Sequence, residues 1–117
     1  MNEDNGYSSH QGTELTISLD EYAKRYGAYS RGALPGLPDK VKGLIAGDIR
    51  TVSLDFKGLK VISASDIGEI MAAVQDLRRQ NIEPYLSNVS PRVRRLIVMA
   101  GLEGVVAVQS PEEPVPQ

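Results

Sequence analysis

Apolar and polar residues alternate over residues 13–19 (TELTISL), so that Leu15, Ile17 and Leu19 share one side of an extended chain. A period of two is the mark of a half-buried strand, because successive side chains leave a strand on opposite faces. Residues 49–56 (IRTVSLDF) repeat the pattern, with Val52, Leu54 and Phe56 facing one way. Residues 82–87 predict a shorter strand; Pro84 within it has no ladder donor and points to an edge or an irregular start. Residues 104–108 (GVVAV) are nearly all apolar, as expected of a final strand inside a covered sheet.

Between these segments the period lengthens. Ile67, Ile70, Met71, Val74 and Leu77 form one stripe at helical spacing, and Arg78 and Arg79 close the last turn, where the helix dipole favours cations. Ser90 and Pro91 open a second amphipathic helix as cap and first-turn proline, with Val93, Leu96, Ile97 and Ala100 inward and Gly101 ending it. Residues 38–46 (PDKVKGLIA) predict a short helix burying Val41, Leu44 and Ile45 between Pro38 and Gly47. Residues 20–31 admit a short helix from Asp20, broken into a loop by Gly27 and Gly32. Strands alternating with helices predict an α/β fold: a single mixed β-sheet with helices packed against it.

The ends offer little to bury. Residues 1–12 (MNEDNGYSSHQG) and 110–117 (SPEEPVPQ) are expected as flexible tails around one domain of residues 13–109. His10 then lies in a tail, as a solvated residue or the remnant of a tag.

Composition removes several functions. The 117 residues suffice for one core, and 13 Lys plus Arg against 15 Asp plus Glu leave no bulk charge for nucleic acid or anionic lipid. With no Cys and one His there is no thiolate zinc site, no histidine metal cluster and no cysteine nucleophile, so neither metal nor cofactor is expected. No apolar run approaches the roughly 18 residues of a spanning helix, and the polar start is no signal peptide, so no membrane insertion and a cytoplasmic location are expected. A hydrolytic serine needs a base; the fold expected here allows Asp55 to approach Ser65, but a carboxylate alone rarely activates a hydroxyl, and catalysis is not expected. Tyr22, Lys24, Arg25, Tyr26, Tyr29 and Arg31 interleave rings and cations as single-strand nucleic-acid surfaces do, yet in an acidic domain they read better as a solvated element packing its rings on the sheet. Arg78, Arg79, Arg92, Arg94 and Arg95 form either a solvated helix face or a basic patch for an acidic partner. Residues 32–36 are a turn-rich connector; no Gly-Lys-Ser/Thr follows to make a phosphate loop.

One segment departs from the core-and-surface pattern: residues 61–69 (VISASDIGE), joining a strand end to a helix start. Free backbone N–H groups face outward at a helix start, and sites in open α/β sheets gather at the carboxyl ends of strands. Ser63-x-x-Asp66 fits a capping box, in which the hydroxyl and the acid each satisfy one free N–H. From spacing alone capping is the stronger reading, and a hydroxyl offered to a visiting protein the weaker.

Residues 51–108 resemble the STAS domain, the module shared by sulphate transporters and anti-sigma factor antagonists. The family's apolar strand ending in Asp is matched by Val52-Ser53-Leu54-Asp55-Phe56, and its Asp-Ser-Ser-Gly-like turn by Ser63-Ala64-Ser65-Asp66. The more specific match is Asn88-Val89-Ser90-Pro91-Arg92-Val93-Arg94-Arg95-Leu96, followed by Gly101-Leu102. Ser63 stands where the family carries an acid, and Asp66 where it carries Gly. The family opens with a strand pair, of which only residues 13–19 are evident; a loop or short helix over 20–36 is expected to stand in for the other.

The resemblance implies a protein–protein interaction module in a bacterial partner-switching pathway, resembling an anti-sigma factor antagonist that regulates transcription. It implies Ser65 as the phosphorylation site and Ser63, Ala64, Ser65, Asp66, Ile67 and Glu69 as the partner-binding surface, with structural support from Asp55, Asn88 and Ser90. The implied partner is a kinase-type anti-sigma factor or a related regulator, and a homodimer is compatible with it. Phosphate at a helix N-terminus meets free N–H groups and the positive dipole end, while its charge of about −1.5 to −2 would crowd Asp66 and Glu69. STAS domains also serve as accessory or scaffold subunits of transporters and stress-sensing complexes, and Asp66 in place of Gly suits such a non-cycling role.

Overall fold

In a computed structural model of the chain, residues 6–27 and 32–110 are described. The strands are β1 (Ser8–Gln11), β2 (Glu14–Ser18), β3 (Thr51–Asp55), β4 (Glu83–Ser87) and β5 (Ala107–Val108). The helices are α1 (Leu19–Tyr26), α2 (Leu37–Leu44), α3 (Ala64–Arg79) and α4 (Pro91–Met99), with a single 3₁₀ turn at Leu102–Gly104. The strands lie in the order β1-β2-β3-β4-β5; β1 is antiparallel to β2 and the others are parallel. The fold is the mixed α/β sheet that the alternation predicts.

Register sorts the two faces of the sheet. Leu15, Val52 and Pro84 form one row, and Ile17, Leu54, Leu86 and Val108 the next. These rows join Leu19 and Tyr22 of α1, Val41 of α2, Ile70, Val74 and Leu77 of α3, and Val93 and Ile97 of α4 in one core. The intervening rows are polar: Thr16, Ser53 and Tyr85, then Ser18, Asp55 and Ser87. Ser53 is buried there, its hydroxyl 2.8 Å from that of Ser87.

Four expectations are corrected. Residues 8–11, expected in a tail, form β1, an edge strand held by main-chain pairing with β2. Its anchor is Tyr7, buried against Tyr22 and Tyr26 with ring centroids 5.1 and 5.8 Å away. Backbone pairing asks for no apolar alternation, so the Ser-Ser-His-Gln run hides the strand. This is the family's missing partner strand; residues 19–26 form α1, and 28–31, with Tyr29 and Arg31, lie outside the described residues. The tail expectation for 1–5 and 111–117 likewise falls outside them.

Pro84 sits in an interior strand. Glu83 donates its N–H to Arg50 on the β3 side, which turns the Pro84 nitrogen toward β5, and β5 pairs only from Tyr85 onward. The missing donor therefore falls where no acceptor waits. The segment 104–108 is not a covered strand. Gly101, at φ 79°, turns the chain into the 3₁₀ turn, so Leu102 and Val106 enter the core singly and β5 is a two-residue edge. On α4, Val93 and Ile97 face inward, but Leu96 and Ala100 are exposed.

Candidate functional site

The carboxyl end of β3 leads through residues 56–63 to the start of α3. Ser63 is the N-cap, and both halves of the capping box form: its Oγ accepts the Asp66 N–H at 3.2 Å, and Asp66 Oδ2 accepts the Ser63 N–H at 2.9 Å. The box fixes where α3 begins and leaves Ser65 on its exposed first turn. The Ser65 hydroxyl lies 2.9 Å from that of Ser63. Among the described residues, nothing accepts the N–H of Ala64 or Ser65, the unpaired donors of this helix start.

Asp66 does more than cap. Its carboxylate also accepts the N–H groups of Ala33 at 3.2 Å and Leu34 at 3.0 Å, and the residue is only 2% exposed. Buried in this way, Asp66 is not a partner-contact residue; its carboxylate is taken up by the N–H groups of Ser63, Ala33 and Leu34. Three N–H donors around one carboxylate offset the cost of burying it. The segment so pinned crosses the helix start closely. A Cβ on Gly32 would lie 2.8 Å from Ser65 Oγ and 3.1 Å from Ser63 Oγ, and would strike Asp66 Oδ1.

The pinned segment is tied to the rest of the fold through Pro35, whose carbonyl accepts the Tyr22 hydroxyl at 2.6 Å. Tyr22 is fully buried, and that burial pushes its pKa far above the ordinary phenol range. Burial also raises Tyr7, which shares a hydroxyl hydrogen bond with Tyr26; the same bond holds Tyr26 below its usual value. Arg25 and Lys40 lie over the Tyr26 ring at 5.8 and 4.7 Å, so these rings and cations are packed upon one another.

The other expected site residues fall into place around this turn. Ala64 is exposed, and Ile67 and Glu69 are half-buried. Asp55 does not pair with Ser65; its Oδ1 accepts from Lys57 N–H at 2.9 Å and from Asn88 Nδ2 at 2.8 Å, linking the ends of β3 and β4. Asn88 holds the left-handed φ of 54° that this junction needs. Ser90 caps α4 by accepting the Val93 N–H at 3.3 Å. Gly32, Ala33 and Leu34 are the site residues that sequence reading missed; their backbone contributes, and backbone contacts across a separation of 32 or 33 residues leave no side-chain signal.

Among the described residues no group of His, Asp or Glu is placed to hold a metal ion, and no helix is long and apolar enough to cross a membrane. A family model described as STAS domain matches residues 19–113. No curated protein matches the chain.

Proposed function

Because this chain belongs to the STAS domain family, over a match of residues 19–113, we propose that it is a partner-binding module whose affinity is set by phosphorylation of Ser65. One observation carries the reading: Ser65 is an exposed residue on the first turn of α3, while the neighbouring Ser63 and Asp66 do the capping. Structural duty and presentation thus fall on different residues of one turn. The proposed partner is a kinase-type anti-sigma factor or related regulator, bound in the cytoplasm of a bacterium.

In the proposed step the γ-phosphoryl group of ATP passes to Ser65 Oγ. The Oγ–P bond forms as the bond to the ADP leaving group breaks, and the hydroxyl proton goes to a base of the kinase. The chain itself performs no catalysis in this reading. In this reading the new phosphate meets the unpaired N–H groups of Ala64 and Ser65 and the dipole of α3, and the segment at Gly32, close over Ser65 Oγ, shifts to admit it. The partner, shaped for a neutral hydroxyl, then meets charge that it must desolvate. The test is incubation with the candidate kinase and ATP, followed by mass spectrometric mapping. Phosphate on Ser65, and none in Ser65→Ala, is the expected result; labelling that survives Ser65→Ala overturns the assignment.

The close passage of Gly32 over Ser65 Oγ favours a second reading, in which the turn is fixed and the chain is an accessory or scaffold subunit that does not cycle. Pull-down from the native source distinguishes the two, recovering transporter or scaffold subunits in place of a kinase.

A further inference from the structure

Beside the Ser65 turn lies a cleft of about 300 Å³ between the start of α3 and the end of α4. Ile62, Ala64 and Ile67 form one wall behind the Ser63 cap, and Leu96 and Met99 form the other. Leu96 is 38% and Met99 76% exposed, although α4 already supplies the core with Val93 and Ile97. Val61, which precedes the lining residue Ile62 in the chain, is 66% exposed. Single apolar residues on a surface mean little, but a cluster lining a concavity is the mark of a recognition site.

The charge beside the cleft says what kind of partner fits. Arg92, Arg95, Leu96 and Met99 fall at i, i+3, i+4 and i+7 and so share the outer face of α4. Arg94, one step round the helix, bonds to Glu103 at 3.1 Å and to Ser110 at 2.8 Å. Arg92 and Arg95 are exposed and form no ion pair among the described residues. Among the described residues α4 carries no acid, and Asp66 is buried under the 32–34 segment. A protein of net charge −2 thus presents two unpaired cations beside its exposed apolar wall.

We propose that this cleft seats an amphipathic helix of a partner protein, with its apolar side chains between Ile67 and Met99 and its Asp or Glu side chains against Arg92 and Arg95. A groove between two helices takes a helix as its natural guest, packed through anchors three and four residues apart. Two arginines on an acidic domain are too few to hold a nucleic-acid backbone, whereas they suffice to set the register of an acidic helix. The inference rests on the chain being a partner-binding module, and stands whether or not Ser65 accepts phosphate. The two are nevertheless joined, because Ser63 lines the cleft and its Oγ is 2.9 Å from Ser65 Oγ. A phosphate there sets negative charge at the mouth through which an acidic helix enters.

The test is selection of a displayed library of helical peptides, tiling the proteome of the native source, on the immobilised full chain. Enriched peptides are expected to pair apolar residues at helical spacing with Asp or Glu on the adjoining face. Their affinity is expected to fall about tenfold or more in Leu96→Ser/Met99→Ser and in Arg92→Glu/Arg95→Glu, and to persist in Ser65→Ala. All four substituted α4 residues are exposed, and circular dichroism verifies that the variants fold. The proposal is overturned if no such peptides are enriched, if those enriched lack acids, or if they bind the α4 variants as well as wild type. Failure of the phospho-switch alone gives a different pattern: α4-dependent binding that is unaltered by Ser65→Asp.

Discussion

Asp66 Oδ1 accepts the backbone N–H of Leu34 at 3.0 Å, across 32 residues of chain. The capping acid of α3 is thereby also the clasp that holds the 32–34 segment on the helix start. With the N–H groups of Ala33 and Ser63 it completes a three-donor shell, so helix start and segment are one structural unit.

Asp66→Ala is expected to cost about 2–4 kcal/mol, since it strands three donors, at least one of them buried, and each unsatisfied group costs about 1–3 kcal/mol before water relieves it. Asp66→Asn keeps one acceptor oxygen and is expected to fall between Ala and wild type. Urea unfolding measures the difference, and amide exchange at Ala33 and Leu34 should accelerate more than exchange in β3. A loss for Asp66→Ala below about 0.5 kcal/mol, the size of an ordinary surface change, refutes the clasp.

Gly32→Ala tests the closeness of the same contact from the other side. The added methyl meets Ser65 Oγ at 2.8 Å and strikes Asp66 Oδ1, so the segment must move or the cap must loosen. Overpacking of this kind costs about 1–3 kcal/mol. Ser65→Ala in the same chain should not restore stability, because the Asp66 oxygen remains in the way. Full recovery in the double variant, read by thermal unfolding, would show that Ser65 alone sets the fit.

The residues that could be read from sequence are those whose own side chains carry the signal. Leu15 and Ile17, and Val52 and Leu54, show β2 and β3 because each alternates between a core and a polar face. The stripe from Ile67 to Leu77 shows α3, and the Ser63-x-x-Asp66 spacing shows its cap. The clasp did not show, because its donors are the main-chain N–H groups of Ala33 and Leu34, which every non-proline residue carries. β1 stayed hidden because pairing with β2 and the single ring of Tyr7 replace the alternation that usually marks a strand. Leu96 misled for the converse reason: its helical spacing suits the core, yet Val93 and Ile97 already fill that side of α4, and Leu96 faces the cleft.

Tyr22 gives the fold a sensitivity to alkali. Burial raises the pKa of Tyr22 and of Tyr7, so the folded state favours the neutral phenols more than the unfolded chain does. Their contribution is fully present below the unfolded phenol value of about 10, and is lost as pH rises above it through the folded values. Tyr22→Phe removes the bond to Pro35 and the Tyr22 titration, and leaves the opposed shifts of Tyr7 and Tyr26 in place. It is expected to cost about 1 kcal/mol at neutral pH and to flatten the alkaline decline. Urea unfolding across a pH series checks both, and a decline as steep in Tyr22→Phe as in wild type excludes Tyr22 as its source.

Ser63 and Ser65 lie two residues apart with hydroxyls 2.9 Å apart, yet they should respond oppositely to the same substitution. Ser63→Ala removes the acceptor for the Asp66 N–H and half of the capping box, with an expected loss of about 1 kcal/mol and fraying of the first turn of α3. Ser65→Ala removes an exposed hydroxyl that caps nothing, and Ala is the better helix former, so stability should stay within about 0.5 kcal/mol of wild type. Partner affinity should divide the other way. Loss of the Ser65 hydroxyl leaves a neutral surface that still binds, whereas Ser65→Asp places a carboxylate at the cleft mouth and weakens binding without unfolding the chain. Thermal unfolding and calorimetric titration with the partner, run on all three variants, separate the two roles. If Ser65→Ala instead costs as much stability as Ser63→Ala, the hydroxyl at Ser65 is part of the cap, and the division of labour within this turn is wrong.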